Sequence, residues 1–213
     1  MGRWRSRYSR YSSYSQWPEY VPVAERRLKA QREAAKLGKK GEQPEPVAIE
    51  GRTIARSFWG KAWCTHLESF SDYSNRLPRG RSYLSNGLVV DLKVQAGSVR
   101  ALVSGSSLYT VEIGVQKLPK ARWSSIRSSC AGRIDTLVEL LQGRISDDVM
   151  RRMCDRAAGL FPSPAEIEMQ CSCPDYAEMC KHVAAALYGV GARLDAQPEL
   201  LFTLRGVAHL ELV

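Results

Sequence analysis

The hydrophobic positions along the chain follow two periods, which separate helical from extended stretches. Between residues 57 and 74 the apolar residues recur every three or four positions, which predicts a core helix with Ser57 as its N-cap. The apolar face of this helix consists of Trp59, Ala62, Trp63, Leu67 and Phe70. We expect this aromatic stripe to pack on a sheet.

From residue 88 to residue 115 the period changes to two. Three runs of alternating residues are separated by short turns, a pattern typical of an antiparallel meander. The residues expected on one face are Leu88, Val90, Leu92 and Val94 in the first run, Val99, Ala101 and Val103 in the second, and Tyr109, Val111, Ile113 and Val115 in the third. This face should meet the helix that carries Trp59 and Trp63.

The helical period returns after the meander. A short helix is predicted over residues 123–130, and an amphipathic helix from residue 134 onward should close at Gly143. A third helix should begin at Ser146, whose hydroxyl would cap it while Asp147 and Asp148 complement the helix dipole.

The first part of the chain has a different character. Residues 1–22 are rich in Arg, Ser, Tyr and Trp and bury too little apolar surface to offset their ordering entropy, so they are predicted to be a disordered tail. Residues 23–51 should form a solvent-exposed helix over 23–37 and then a linker that contains Pro44 and Pro46. Folded structure is expected to begin near Arg52, with an α+β domain over residues 52–160.

Four residues suited to metal binding lie within twelve positions of the C-terminal part, residues 161–213. Cys171 and Cys173 share the strand parity of Ile167 and Met169, so both thiolates should project from one face. The acids Glu166 and Glu168 have the opposite parity and should face water. Cys180 and His182 follow a loop and begin a helical pattern. The sequence therefore predicts a strand–loop–helix module in which these four side chains close a tetrahedral, structural Zn²⁺ site.

A second metal site and a catalytic centre have weaker support. Cys64 and His66 form a Cys-x-His pair inside the core helix, but no second ligand pair lies nearby in the sequence. A zinc hydrolase or nuclease would need an open coordination position and a paired carboxylate constellation, and the three histidines His66, His182 and His209 are scattered. We therefore expect no enzymatic activity and no small-molecule substrate.

The net charge of +9 is concentrated at one end, with +8 in residues 1–41. Arginines that alternate with aromatic residues suit nucleic acid, although a solvated tail without a ligand explains the same composition. The candidate contacts to nucleic acid are Arg3, Arg5, Arg7, Arg10, Arg76, Arg79 and Arg81. The zinc module itself is surrounded by acids (Glu166, Glu168, Asp175 and Glu178) against Lys181 alone, which favours a scaffold or protein-docking role for it.

The compartment is predicted from what the sequence lacks. No apolar run approaches the length of about 18 residues that spans a bilayer, and no apolar stretch follows the N-terminal arginines as in a secretory signal. Three of the six cysteines belong to the predicted metal site, which indicates a reducing environment. A cytoplasmic protein without membrane contact is the expectation.

The ligand pattern Cys-x-Cys, a short loop and Cys-x-His on a helix resembles the SWIM zinc finger. The sequences CSCPD, CKHVAAALYGVGARLD and PELLFTLRG, and upstream EGRTIARSFWGKAWC and LPRGRSYLSNG, resemble bacterial SWIM zinc finger family proteins over residues 45–213, and relatives are expected to continue beyond HLELV. The resemblance assigns the zinc ligands to Cys171, Cys173, Cys180 and His182. It implies an accessory protein that contacts DNA or proteins, with a Swi/Snf-type helicase or ATPase as partner. The alternatives are an adaptor that never touches DNA and, with less support, the hydrolase or nuclease.

Overall fold

The computed structural model describes residues 21–39, 41, 43–51, 53–70, 73–175 and 177–213. The tail arginines Arg3, Arg5, Arg7 and Arg10 lie outside the described residues, so the disorder and the nucleic-acid contacts of that segment stay predictions. Within the described ranges, no helix is both long enough and apolar enough to cross a membrane.

The described chain is an α+β fold built on one four-stranded antiparallel sheet, as the sequence predicted. The strands lie in the order β1-β2-β3-β4, so the strand that leads into the metal site pairs with the last strand of the meander. The elements are α1 (Val23–Lys39), α2 (Phe58–Glu68), α3 (Leu77–Ser85), β1 (Val89–Gln95), β2 (Ser98–Ser104), β3 (Leu108–Val115), α4 (Lys120–Cys130), α5 (Leu137–Gln142), α6 (Asp147–Met153), β4 (Ile167–Cys171), α7 (Lys181–Ala196) and α8 (Glu199–Arg205), with short 3-10 turns at Pro164–Glu166 and His209–Leu212.

Helix α7 is the centre of the core. Residues 182–191 and Leu194 are buried, because the sheet covers one face of the helix while α2 and α3 cover the other. The predicted helix α2 begins after the N-cap Ser57 and buries Trp59 and Trp63, as expected. Its stripe packs mainly on α7 and not on the sheet, so that expectation was wrong, and the indole of Trp63 donates to the Leu187 carbonyl at 2.8 Å.

A β-bulge in β1 changes the predicted sheet face. The pairing with β2 shifts between Val89 and Asp91, so two residues of β1 stand where one would continue the alternation. Val89 and Leu92 therefore join the main core, while Leu88 and Val90 turn to the opposite face. The parity assigned to Leu88 and Val90 from the sequence was wrong for this reason.

Helix α3 was not predicted. Pro78 lies in the first turn of α3, where its missing N–H costs nothing. Gly80 faces α7, and a Cβ added to it would lie 2.4 Å from Ala184 Cβ. Glycine is therefore needed for the two helices to approach, not for a break in the chain.

The segment before residue 52 is packed onto the sheet. Helix α1 confirms the predicted helix but is not solvent-exposed throughout, because Ala30 is buried against Leu88 and Val90. The predicted linker runs along the edge of β1, where Val47 N donates to Val89 O at 3.1 Å. Val47 is buried there. Pro44 and Pro46 alternate with the bonded residues, a position where prolines lose no ladder bond. Folded structure therefore begins earlier than Arg52.

The helices that follow the sheet agree with the sequence in part. Helix α4 begins at Lys120, slightly earlier than predicted, and Gly143 ends α5 with a φ of 66°. Helix α6 begins at Asp147 as expected, but the Ser146 hydroxyl makes no capping hydrogen bond, so that detail was wrong. The boundaries between predicted domains stay predictions, although one hydrophobic core extends on both sides of residue 160.

Candidate metal centre

The four predicted ligands come together at the junction between β4 and α7. Cys171 is the last residue of β4, Cys173 follows it, Cys180 is the N-cap of α7 and His182 lies in the first turn of that helix. Along β4, Ile167, Met169 and Cys171 are buried or half-buried while the residues between them are exposed, which confirms the predicted strand parity.

The donor atoms of these residues fit a tetrahedral zinc ion. All four lie within 4.8 Å of one another. The Nδ1 atom of His182 is 3.8 Å from Cys171 Sγ and 3.7 Å from Cys180 Sγ. Zn–S bonds of about 2.3 Å and Zn–N bonds of about 2.0–2.1 Å place tetrahedral ligand atoms about 3.6–3.8 Å apart, in agreement with these separations. Four protein ligands leave no coordination position for a substrate.

The thiol of Cys180 is prepared to act as a thiolate. A hydrogen bond from the Cys171 thiol lowers the pKa of Cys180. Burial raises this pKa, but hydrogen bonds from the His182 side chain and from the backbone N–H groups of His182 and Val183 lower it further. The same bond to Cys180, together with burial, raises the pKa of Cys171. Because metal ligands must be thiolates, Cys171 and Cys180 would have to lose the proton that they share in order to hold a metal.

Aromatic rings fix the orientation of His182. The imidazole is almost completely buried between Tyr109, at 4.5 Å between ring centroids, and Tyr83, at 5.3 Å. Its Nε2 atom has no hydrogen-bond partner among the described residues and faces Gly105, where a Cβ would come within 3.2 Å. Zinc-binding histidines usually donate their second N–H to an acceptor. Here packing against Tyr83, Tyr109 and Gly105, which the sequence analysis did not single out, replaces that bond.

A buried ion-pair network supports the strand that carries Cys171. Glu166, immediately before β4, accepts from Arg205 at 3.0 Å and Arg122 at 3.2 Å, and the side chain of Arg205 is fully buried. Burial opposes ionisation of Glu166, but hydrogen bonds from Ser163 N and Arg205 outweigh it and lower the pKa of Glu166. The expectation that Glu166 faces water was therefore wrong, because it compensates a buried guanidinium.

The charges near the metal centre are more balanced than the sequence suggested. Asp175 pairs with Arg76 at 2.9 Å, so Lys181 is not the only base beside the acids. Arg81 pairs with Glu68 and lies over the ring of Tyr188, whereas Arg79 is exposed on α3. Nucleic-acid contacts by Arg76, Arg79 and Arg81 stay predictions, although two of these side chains already have acidic partners.

The Cys64 and His66 pair belongs to the core. His66 Nε2 lies 2.8 Å from the Pro162 carbonyl, and burial lowers the pKa of this imidazole. Burial also raises the pKa of the Cys64 thiol to about 12. Over the parts of the chain that the structure describes, no group of three or more Cys, His, Asp or Glu ligands forms other than the one at Cys171.

Comparisons with known proteins give one match that bears on the metal centre. The chain is 36% identical over 173 residues to the uncharacterized protein Rv2102 of Mycobacterium tuberculosis, an alignment of 77% of this chain that spans 62% of the length of that relative. No solved structure matches the chain significantly. The family model of the SWIM zinc finger matches residues 165–190, which contain β4, all four ligands and α7 up to residue 190. The chain therefore contains a SWIM zinc finger.

Proposed function

We propose that this protein is a non-enzymatic, zinc-stabilised accessory protein that binds nucleic acid and a partner ATPase. The observation that carries the proposal is the closed set of four protein ligands, Cys171, Cys173, Cys180 and His182, at the junction of a core strand and the central helix. A catalytic zinc keeps one coordination position open for water or substrate, whereas the four protein ligands here would fill all four positions of a tetrahedral zinc. The metal would hold β4 and α7 together.

Charge supports nucleic acid as the ligand. The net charge of +9 lies almost entirely in residues 1–41, and neutralisation of phosphates by such a cluster releases counterions and drives binding. The presence of a SWIM zinc finger supports a protein partner, and the resemblance to bacterial SWIM proteins favours a Swi/Snf-type helicase or ATPase.

The test is a titration of DNA binding against salt concentration. We compare the full chain with a variant that lacks residues 1–20 and with a full-length variant in which Arg3, Arg5, Arg7 and Arg10 are replaced by glutamine. Helix α1 is retained in all variants, because it packs on the sheet through Ala30. Both variants should bind more weakly and show a shallower dependence of log K on log salt. Unchanged affinity and slope would remove the tail from the proposal.

One observation favours the adaptor alternative. Glu168 and Glu178 are exposed beside the metal centre, where their negative charge disfavours the binding of phosphate. Absence of DNA binding even at low salt, together with co-purification of an ATPase from native extracts, would favour the adaptor. Hydrolysis of nucleic acid that persists in the zinc-loaded protein and is lost on replacement of one carboxylate would instead establish an enzyme.

A further inference from the structure

A basic cleft lies beside the metal centre. It has a volume of about 1000 Å³ and is bounded by α1 on one side and by the turn between β2 and β3 on the other. Tyr83 of α3 and Lys181, which stands between the ligands Cys180 and His182, complete its lining. We call this feature the α1 cleft.

The α1 cleft carries an excess of positive charge. Its basic side chains are Arg26, Lys29, Arg32, Lys36 and Lys181, against the carboxylates of Glu25 and Glu33. Lys29, Arg32 and Lys36 are separated by three and four residues, so they lie on one face of α1 and form a stripe about 10 Å long.

These cations have different tasks. The Lys29 ammonium donates to the carbonyls of Gly105 at 2.8 Å and Ser106 at 2.7 Å and pairs with Glu33, so it anchors α1 to the β2–β3 turn. Arg32 and Lys36 are exposed and have no ion-pair partner among the described residues. Both remain available for an anionic ligand.

The surroundings of Lys181 add an aromatic component. The ammonium of Lys181 lies 5.7 Å from the centroid of the Tyr83 ring, and Tyr83 is only partly buried where it lines the α1 cleft. A cationic groove with an aromatic side chain in its wall is the combination by which proteins follow the phosphates of unpaired nucleic acid and stack its bases.

We infer that the α1 cleft holds a single strand of nucleic acid, with Arg32, Lys36 and Lys181 on its phosphates, an inference that rests on the nucleic-acid binding proposed above. Proteins that read duplex DNA insert a protruding helix or ribbon into a groove about 12 Å wide. Here the cations line a depression, which suits an unpaired strand that enters the protein. Val21, the first residue that the structure describes, also lines the cleft.

The test compares two double variants of the full chain that lose the same charge. Arg32→Gln with Lys36→Gln changes the cleft, whereas Lys61→Gln with Arg133→Gln removes two exposed cations from α2 and from the segment after α4. Fluorescence anisotropy with an oligothymidine of about 16 nucleotides measures affinity over a range of salt concentrations. The cleft variant should bind about tenfold more weakly at low salt, with a slope smaller by about 1.4 for two lost contacts, while the control stays within about twofold of wild type.

The outcomes separate this inference from the proposed function. Equal weakening of the two double variants overturns the cleft while leaving nucleic-acid binding in place. A duplex of the same length that binds more tightly than the single strand overturns the ligand class. No binding of either oligonucleotide by the wild type overturns the proposed function and this inference together. Zinc content and urea unfolding of both double variants should equal those of the wild type, which shows that α1 remains docked.

Discussion

Replacement of Gly80 by alanine should destabilise the protein at the contact between α3 and α7, directly behind the metal centre. A Cβ at this position would lie 2.4 Å from Ala184 Cβ, 2.7 Å from Ala184 C and 2.8 Å from Ala185 N. Carbon atoms in good contact are about 3.5–4.0 Å apart, so the helices would have to separate by more than about 1 Å. Backbone atoms cannot rotate away as the end of a side chain could.

The magnitude follows from two opposing terms. Overpacking of this kind costs about 3 kcal/mol, the upper part of its usual range, because the obstacle is the backbone of a buried helix. Alanine recovers about 1 kcal/mol of helix propensity over glycine. We therefore expect the free energy of unfolding to fall by about 2 kcal/mol, which lowers the urea midpoint by about 1 M if m is about 2 kcal/mol per M. Gly38→Ala is the matched control, because Gly38 lies in α1 with nothing within 4 Å of its added Cβ, and this change should be neutral or stabilising.

Urea unfolding of both variants, followed by fluorescence and circular dichroism, provides the measurement. Zinc affinity gives a second readout, since Ala184 is two residues from the ligand His182 and displacement of α7 should weaken the metal. If Gly80→Ala proves as stable as wild type and binds zinc equally well, the close approach of the two helices, and the assignment of Gly80 to it, is refuted.

Three further predictions concern the metal centre, the ion pair before β4 and the start of α2. Cys180→Ser should abolish stoichiometric zinc and lower the stability of the whole core by several kcal/mol, and metal analysis with urea unfolding checks this against Cys154→Ser, which should keep its metal. Glu166→Gln should cost about 3–5 kcal/mol at neutral pH, because it leaves the buried Arg205 guanidinium without a carboxylate. Because the pKa of Glu166 is lowered in the folded protein, this difference should be complete above the ordinary pKa of 4.5 and fade as the pH falls through the folded value, as unfolding titrations would show. Asp195→Ala removes the acceptor of three hydrogen bonds at the start of α2, and its cost of about 1–3 kcal/mol in urea unfolding should leave zinc content unchanged.

The metal ligands could be predicted because their signal is local. The parity of Cys171 with Ile167 and Met169 places it on the inward face of an extended strand, and the helical pattern behind His182 positions the second ligand pair. Neither inference needs a contact between distant parts of the chain. What this reasoning lacked was the neighbour of β4, because strand pairing depends on distant sequence: Ile113 stands opposite Met169 across β3 and β4.

Other features could not be predicted because they depend on contacts with residues far away in the sequence. Glycine is a residue type common in turns, yet Gly80 lies in a helix and leaves room for Ala184, more than a hundred positions later. The bulge in β1 leaves no distinct sign in the alternation of Leu88, Val90 and Leu92, since all three are apolar whichever face they occupy. Sequence periodicity shows that a residue is buried, but only the packing shows against which surface.

The metal centre therefore differs from a finger appended to a finished domain. Cys171 is the last residue of a strand in the only sheet of the described residues. Cys180 and His182 lie at the start of the helix around which the sheet, α2 and α3 are packed. Gly105, which presses on His182, belongs to the same turn whose carbonyl accepts from Lys29 and anchors α1. Zinc would thus fix the relation of β4 to α7 and, through this turn, one wall of the α1 cleft. The proposed structural metal and the proposed nucleic-acid surface would in this way be parts of one arrangement.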